Sequence, residues 1–269
     1  MKKQMRVGLV VEGNATPSPV LRLTSLVDEL GPIKSTGLQV ARRISNFLRA
    51  GYAVTEYQEL EGAQLILLRL PDVQVMRVVA EIAETGLPFG DMCFVLCESW
   101  LPTEILMPLR RQGAQIASLV NVGPLSGNRF VIEGDLPAVR RAKRLLAGGE
   151  ARVIEIRPGT KSLYFAANLL STAIPIPVFQ LAQQALRESG VAGNDLTLLT
   201  DEWAHLLHDR VRKGARGAWG GPLTECSEAT ANEHFRQLAV QNPELAESVE
   251  EWLNWARPQM SKRAKGQTA

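Results

Sequence analysis

The chain has 269 residues, 45% of them hydrophobic and 22% charged, with 30 Lys plus Arg against 28 Asp plus Glu. That balance excludes a disordered chain, a collagen-like repeat and a small disulfide scaffold, and at roughly 150 residues per domain it predicts one or two domains with their own cores. A net charge of +2 supplies no concentrated basic field, so nucleic acid is not an expected partner.

Three cysteines, Cys93, Cys97 and Cys226, match no metal or disulfide spacing. Cys93 and Cys97 fall in the apolar run from Met92 to Cys97, which reads as a buried strand whose thiols pack as small hydrophobes. The basic start from Met1 to Arg6 leads into an apolar run that stops at Glu12, too short for a signal sequence. No stretch approaches the ~20 uninterrupted apolar residues of a membrane span. A cytoplasmic protein without a membrane partner is expected.

From Met5 to about Arg157, short apolar runs alternate with segments of helical period. Strands are predicted at Arg6 to Val11, Tyr52 to Tyr57, Ala63 to Leu70, Met92 to Cys97, Ala114 to Val120, Phe130 to Ile132 and Val153 to Ile156. Helices are predicted at Leu38 to Ala50, Gln74 to Glu84, Thr103 to Gln112 and Leu136 to Leu146. Repeated strand and helix argue for an α/β Rossmann-like parallel sheet with helices on both faces.

After Arg157-Pro-Gly159 every segment has helical period. Helices are predicted over Lys161 to Ser189 with an interruption at Pro175 and Pro177, over Asp195 to Lys213, over Glu225 to Val240 and over Pro243 to Arg257. The expected organisation is a Rossmann-like domain over 1–159, a smaller all-α domain over 160–260, and a basic tail over 261–269.

In such a sheet a glycine-rich first turn cradles a pyrophosphate. Here the first strand leads into Val11-Glu-Gly-Asn-Ala-Thr-Pro17, a degenerate dinucleotide-binding turn. Gly8, Gly13 and Asn14 are its candidate cofactor-binding residues, although the middle glycine is missing and Pro17 and Pro19 remove two backbone donors. Glu56, near the end of the Tyr52 to Tyr57 strand, offers an acceptor for a ribose 2′-hydroxyl, which favours NAD over NADP; a solvated strand-end charge is the plainer reading of Glu56 and Glu59. The run Gly31 to Gly37 places Lys34, Ser35 and Thr36 just before a helix, either as an anion-holding group or as a loop capped at Ser35 or Thr36.

Lys161, Tyr164 and Asn168 recur at helical spacing and share one face of the first helix of the second domain. A lysine serves as a general acid or base only where burial or a cationic neighbour lowers its pKa. His205 and His208 stand i, i+3 near Asp201, Glu202 and Asp209, but with no third ligand at metal spacing no metal is expected. His234, with an unperturbed pKa near 6.5, is a further proton-transfer candidate. Arg210, Arg212, Lys213 and Arg216 run into a glycine-rich connection, either an anion clamp or a solvated helix end.

Over most of residues 5 to 240 the chain resembles a family of uncharacterised bacterial proteins that join a Rossmann-like NAD(P)-binding domain to a helical domain similar to the C-terminal part of 6-phosphogluconate dehydrogenase. The resemblance rests on Ala63-Gln-Leu-Ile-Leu-Leu-Arg-Leu-Pro-Asp72, on Phe130-Val-Ile-Glu-Gly-Asp135, on Lys161-Ser-Leu-Tyr-Phe-Ala-Ala167, and on Gly221, Pro222, Thr230 and His234. It adds Pro71 and Asp72 to the expected cofactor-binding residues. The chain departs from the family at polar positions. A His-x-Ser-Gly stretch is replaced around Leu96 to Trp100, a His-Pro pair is Gly123-Pro124, Phe165 stands where His is usual, and Glu225, Cys226 and Ser227 replace Arg-Gly-Asp.

The resemblance implies an NAD(P)-binding oxidoreductase-like protein of unknown substrate, with NAD or NADP as cofactor and a small-molecule ligand in the cleft between the domains. It also implies a homodimer through the C-terminal helical domain. Lys161, Tyr164, Asn168 and His234 are then the catalytic candidates. The lost polar positions motivate an alternative, a non-catalytic dimeric ligand-binding or scaffold protein that keeps the fold without the dinucleotide.

Overall fold

The computed structural model describes residues 6–12, 18–123, 128–213 and 226–265. The chain divides into two compact units, Met1–Asn168 and Leu169–Ala269.

In the first unit, β1 (Val7–Val11), β2 (Leu30–Lys34), β3 (Tyr52–Val54), β4 (Leu65–Arg69), β5 (Cys93–Cys97), β6 (Gln115–Asn121), β7 (Arg129–Gly134) and β8 (Arg152–Glu155) form one sheet. Their order is β3-β2-β1-β4-β5-β6-β7-β8. Every neighbouring pair is parallel except β6 with β7. The order reverses between β1 and β4, and in doubly wound sheets ligands sit outside the carboxyl ends of the strands at that reversal.

Side chains alternate across the sheet with the period of two that a strand imposes. Val7, Leu9 and Val11 of β1, Leu65 and Leu67 of β4, and Cys93, Val95 and Cys97 of β5 share one core with Leu26 of α1 (Thr24–Glu29), Ala41 and Ile44 of α2 (Leu38–Leu48), and Ala138, Ala142 and Leu145 of α5 (Leu136–Gly148). Val10, Ile66, Leu68, Phe94 and Leu96 face the other way, onto Val75, Val78 and Ile82 of α3 (Asp72–Ala83) and Leu109 of α4 (Met107–Arg111). Helices on both faces explain why β1, β4 and β5 read as unbroken apolar runs.

The run Gly31 to Gly37 differs from its expected reading as a loop, and the segment 19–37 that contains it is structured. It holds a three-ten turn (Val20–Arg22), then α1 and then β2, which pairs with β1. Gly31 and Pro32 hide this strand from a propensity reading. The pairing of β2 with β1 carries a register irregularity between Val7 and Leu9, so the missing Pro32 donor falls where the ladder is already interrupted. Ser35 Oγ donates to the Val11 carbonyl at 2.6 Å, tying the end of β2 to that of β1. Ser35 therefore does not cap α2, whose N-cap, Gly37, makes no side-chain hydrogen bond.

Helix α6 (Lys161–Asn168) closes the first unit. A π-helical turn, Leu169–Ala173, opens the second, followed by α7 (Pro175–Glu188), α8 (Gly193–Lys213), α9 (Glu228–Gln241) and α10 (Pro243–Lys265). Pro175 begins α7 rather than breaking it, since the first helical turn needs no donor there. Ser227 caps α9 by accepting from Thr230 N at 3.2 Å, and Asn242 Oδ1 accepts from Leu245 N at 3.0 Å at the start of α10. By length and composition alone, the helical stretch Lys161–Glu188 is long and apolar enough to cross a membrane. Among the described residues of the second unit, Leu245 is the one buried hydrophobic side chain.

Candidate functional site

The turns that follow β4 and β5 bring together Asp72 and Lys161, two of the residues singled out in the sequence. Lys161 is only 3% exposed. Its backbone N–H and that of Thr160 donate to Glu133 Oε2, both at 3.1 Å, so a carboxylate on β7 fixes the start of α6. Glu133 Oε1 accepts from Thr103 Oγ1 at 2.7 Å, and Thr103 is in turn bonded to Ser118 Oγ. Gly134 makes this approach possible. Its φ is +140°, and a Cβ there would lie 2.4 Å from Ala117 Cα and from the Ile116 carbonyl oxygen.

The Lys161 ammonium donates to the Leu101 carbonyl at 2.7 Å. Leu101 N donates to Ser99 Oγ at 3.1 Å, and Ser99 Oγ donates to Asp72 Oδ1 at 2.6 Å. Lys161 and Asp72, 89 positions apart in the sequence, are thus joined through the turn that follows β5. Burial lowers the Lys161 pKa from 10.5 to about 8, against the opposing pull of Glu133 and Asp72. Tyr164, half-buried, is hydrogen-bonded to Asn168 and its phenol is pushed up by burial. Its ring stacks on Trp100 at 5.9 Å between centroids, and Phe165 meets Trp100 edge-on at 5.6 Å. Three of the four predicted catalytic residues therefore line one helix beside the β5 turn. The fourth, His234, lies on α9 in the second unit with its side chain exposed.

The predicted cofactor residues divide differently. Pro71 and Asp72 stand where β4 turns into α3, at the strand reversal. Gly8 lies in the interior of β1, where a Cβ would meet Ile66 Cδ1 at 2.7 Å, so close packing accounts for this glycine. Gly13 and Asn14 lie outside the described residues, as do Pro17, Pro124, Arg216, Gly221, Pro222 and Glu225. Glu56 requires a correction. It follows β3, the edge strand two places from β1, and its carboxylate caps the three-ten turn Tyr57–Leu60 in a reciprocal box with Glu59. A self-capping carboxylate at that edge is not placed to read a ribose at the end of the strand beside β1.

That neighbouring strand end carries Lys34 instead. Its ammonium donates to the Ser35 carbonyl at 2.7 Å and lies 4.8 Å from the centre of the Tyr57 ring. Tyr57 donates to Glu81, Glu81 pairs with Arg77, and Arg77 pairs with the buried Glu12 just past β1. At the end of β5, Glu98 pairs with Arg69 and accepts from Ser18 Oγ and Val20 N. Sequence reasoning did not single out Glu98, Arg69, Glu133 and Trp100; the signal for Glu98 and Trp100 was the altered stretch from Leu96 to Trp100, and Arg69 and Glu133 lay unremarked within the stretches Ala63 to Asp72 and Phe130 to Asp135. Among the described residues no three His, Cys, Asp or Glu side chains are grouped to hold a metal ion.

Comparison with solved structures gives the same fold over nearly the whole chain. A proposed NADP oxidoreductase from Bacteroides fragilis superimposes with a TM-score of 0.74 at 16% identity, over 96% of this chain and 98% of that one. An imine reductase from Myxococcus stipitatus, a variant in complex with NAD+, gives 0.69 at 9% identity over 96% and 95%. A pyrroline-5-carboxylate reductase from Coxiella burnetii gives 0.56 at 13% identity over 98% of each chain. No curated protein matches the chain. Residues 128–251 match the model of DUF2520, a domain of unknown function. The DUF2520 match thus spans the last two strands of the sheet and most of the helical unit, and the chain as a whole shares the Rossmann-like fold of these solved structures.

Proposed function

We propose that the protein is an NADP(H)-dependent oxidoreductase of a small organic substrate, with Lys161 as its proton donor and acceptor. The observation that carries this reading is Lys161 itself, a lysine 3% exposed whose pKa is brought down to about 8 at the carboxyl edge of the sheet. General acid–base catalysis is most efficient when the group's pKa lies near the working pH. The nicotinamide, when bound, supplies or accepts the hydride. The chain's own share is to deliver or take up the accompanying proton at Lys161 Nζ. Tyr164 and Asn168, bonded to each other one turn further along α6, orient the substrate.

The choice of NADP over NAD rests on Lys34. Dinucleotide folds read the adenosine ribose at the end of the strand beside β1, with a carboxylate for a free 2′-hydroxyl or a cation for a 2′-phosphate. Lys34 supplies the cation there, while Glu56 follows β3, one strand further from β1, and caps the turn Tyr57–Leu60. The donors at Ser18, Val20 and Arg69 already hold a carboxylate, a set that also suits a phosphate oxygen. Imine reductases of similar fold, solved with NAD+ and with NADP+, support a nicotinamide cofactor of either kind.

Titration with NADPH and NADH, followed by reduction assays on cyclic imines and ketones, tests the proposal. Binding of NADPH together with turnover that Lys161→Met lowers at least 100-fold, at unchanged NADPH affinity, is the expected result. Glu98 and Trp100 favour a second reading. A carboxylate across the strand ends and an indole packed on Tyr164 and Phe165 beside them suit a binding protein that keeps the fold without hydride transfer. A ligand at 100 times its dissociation constant stabilises by about 2.7 kcal/mol. An unchanged thermal midpoint in millimolar NADPH therefore selects this second reading.

A further inference from the structure

Glu98 lies across the point where the strand order reverses. It follows β5, and its side chain reaches past the end of β4, where Oε2 sits 2.9 Å from Arg69 Nε. Oε1 accepts from Ser18 Oγ at 2.7 Å and from the Val20 backbone N–H at 3.2 Å, both in the segment that follows β1. One carboxylate thereby links β5, β4 and the β1 crossover, and it is 11% exposed. Ser18 is buried, with 1% exposure, so its hydroxyl is committed to this contact and to Leu21 N.

The backbone at Glu98 has φ +57°, a left-handed conformation that a non-glycine residue adopts only when its surroundings hold it there. The three contacts of the carboxylate are what hold it. An ion-paired guanidinium, with a hydroxyl and a backbone N–H that donate, converges on the two carboxylate oxygens, a combination of groups that proteins use for phosphate oxygens as well.

We infer that Glu98 is a tethered competitor for the anionic group of the ligand. A phosphate-bearing ligand enters at the strand reversal by displacing the Glu98 carboxylate from Arg69, Ser18 and Val20. The phosphate's identity as part of a dinucleotide rests on the function proposed above; the exchange itself does not. Two anions cannot share Arg69 in a partly buried site, so the ligand binds only the fraction of molecules in which Glu98 has swung away. Apparent affinity falls in proportion to that fraction. A closed state favoured about 10- to 100-fold weakens binding by about the same factor.

The test compares dissociation constants for NADPH and for inorganic pyrophosphate, by calorimetry, in the wild type, Glu98→Gly, Glu98→Gln and the double variant Glu98→Gly with Arg69→Ala. Glycine accepts the left-handed φ, so the first variant retains the turn while opening the site. Glutamine keeps the shape and removes the charge, and serves if the glycine variant does not fold. Binding of either probe about 10- to 100-fold tighter in Glu98→Gly, a smaller gain in Glu98→Gln, and loss of the gain in the double variant are expected. If the wild type binds NADPH and removal of the carboxylate leaves affinity equal or weaker, the competitor role is overturned while the cofactor reading stands. Tighter pyrophosphate with no NADPH binding upholds the exchange and overturns the dinucleotide. Failure of every form to bind either probe overturns both.

Discussion

The ammonium of Lys161 is bonded to a neutral partner, the Leu101 carbonyl at 2.7 Å, with no carboxylate at salt-bridge distance among the described residues. A buried charge without a counter-ion is costly, and the lowered pKa of about 8 expresses that cost. Between pH 8 and 10.5 the unfolded chain holds this proton more tightly than the folded one. Stability contributed by Lys161 therefore rises as pH increases through that window, and below it the full penalty applies. At 1.36 kcal/mol per pKa unit the span is about 3 kcal/mol. Urea unfolding of the wild type and Lys161→Met at pH 7 and pH 10 checks this. The wild type should gain about 3 kcal/mol on the variant between the two, and a difference independent of pH would show that the ammonium is solvated.

Proton transfer gives the same group a kinetic signature. If Lys161 is the acid in reduction, kcat/KM should fall about tenfold per pH unit above pH ~8, because the deprotonated amine has no proton to give. Oxidation of the product should show the opposite limb, rising toward pH ~8 and then levelling. The pH profiles of both directions, measured with saturating cofactor, check this; matching profiles in Lys161→Met would assign the proton to another group.

Glu133 holds three donors from two segments, Thr103 Oγ1 of the turn after β5 and Thr160 N and Lys161 N at the start of α6. Glu133→Ala leaves the Thr160 and Lys161 N–H groups without an acceptor, while Thr103 keeps Ser118 Oγ, and each unsatisfied buried group costs about 1–3 kcal/mol. A loss of about 3–5 kcal/mol is expected, since relaxation and water recover part of the sum. Glu133→Gln keeps the shape and should lose about half as much. Chemical denaturation with m-values compared between variants checks that the folded state, not its compactness, has changed.

Lys34 tests cofactor discrimination separately from the competitor at Glu98. Lys34→Ala should weaken NADPH about 10- to 100-fold, the scale of one lost charge-assisted contact of about 1.5–3 kcal/mol, and leave NADH within twofold. Titrating both cofactors against both forms separates a 2′-phosphate contact from a general loss of positive charge. An equal loss for NADH and NADPH removes Lys34 from the discrimination.

The sheet was legible where burial on two faces made strands uniformly apolar. Leu65–Arg69 and Cys93–Cys97 sit between parallel neighbours, and no polar residue interrupts either run until the strand end. β2 was not legible, because Leu-Gly-Pro-Ile-Lys carries two strand-averse residues and only the β1 and β3 ladders hold it extended. That one omission made the strand before Glu56 read as the neighbour of β1, whereas β2 lies between them. The placing of Lys161, Tyr164 and Asn168 on one helix was legible because helical spacing is local. Glu98 was not, since its partners Ser18 and Arg69 lie 80 and 29 positions away and meet it only at the sheet edge.

The second unit carries a different expectation. Its described residues bury only Leu245, while Leu198 is 68% exposed, Val211 72% and Val240 84%. A helical unit of this length needs an apolar core to offset the entropy of ordering its chain, so these faces require a partner surface. A second copy of the chain, related by a two-fold axis, is the commonest solution among soluble proteins and the one proposed here. Sedimentation equilibrium should give a mass of twice the chain's 29.5 kDa. Leu207 and Val211 stand one turn apart on α8, both exposed, and replacing both with Glu should return a monomer with a lowered thermal midpoint. A wild-type monomer would overturn the dimer. Recovery only from the detergent-soluble membrane fraction would assign the apolar stretch Lys161–Glu188 to lipid instead of to a second chain.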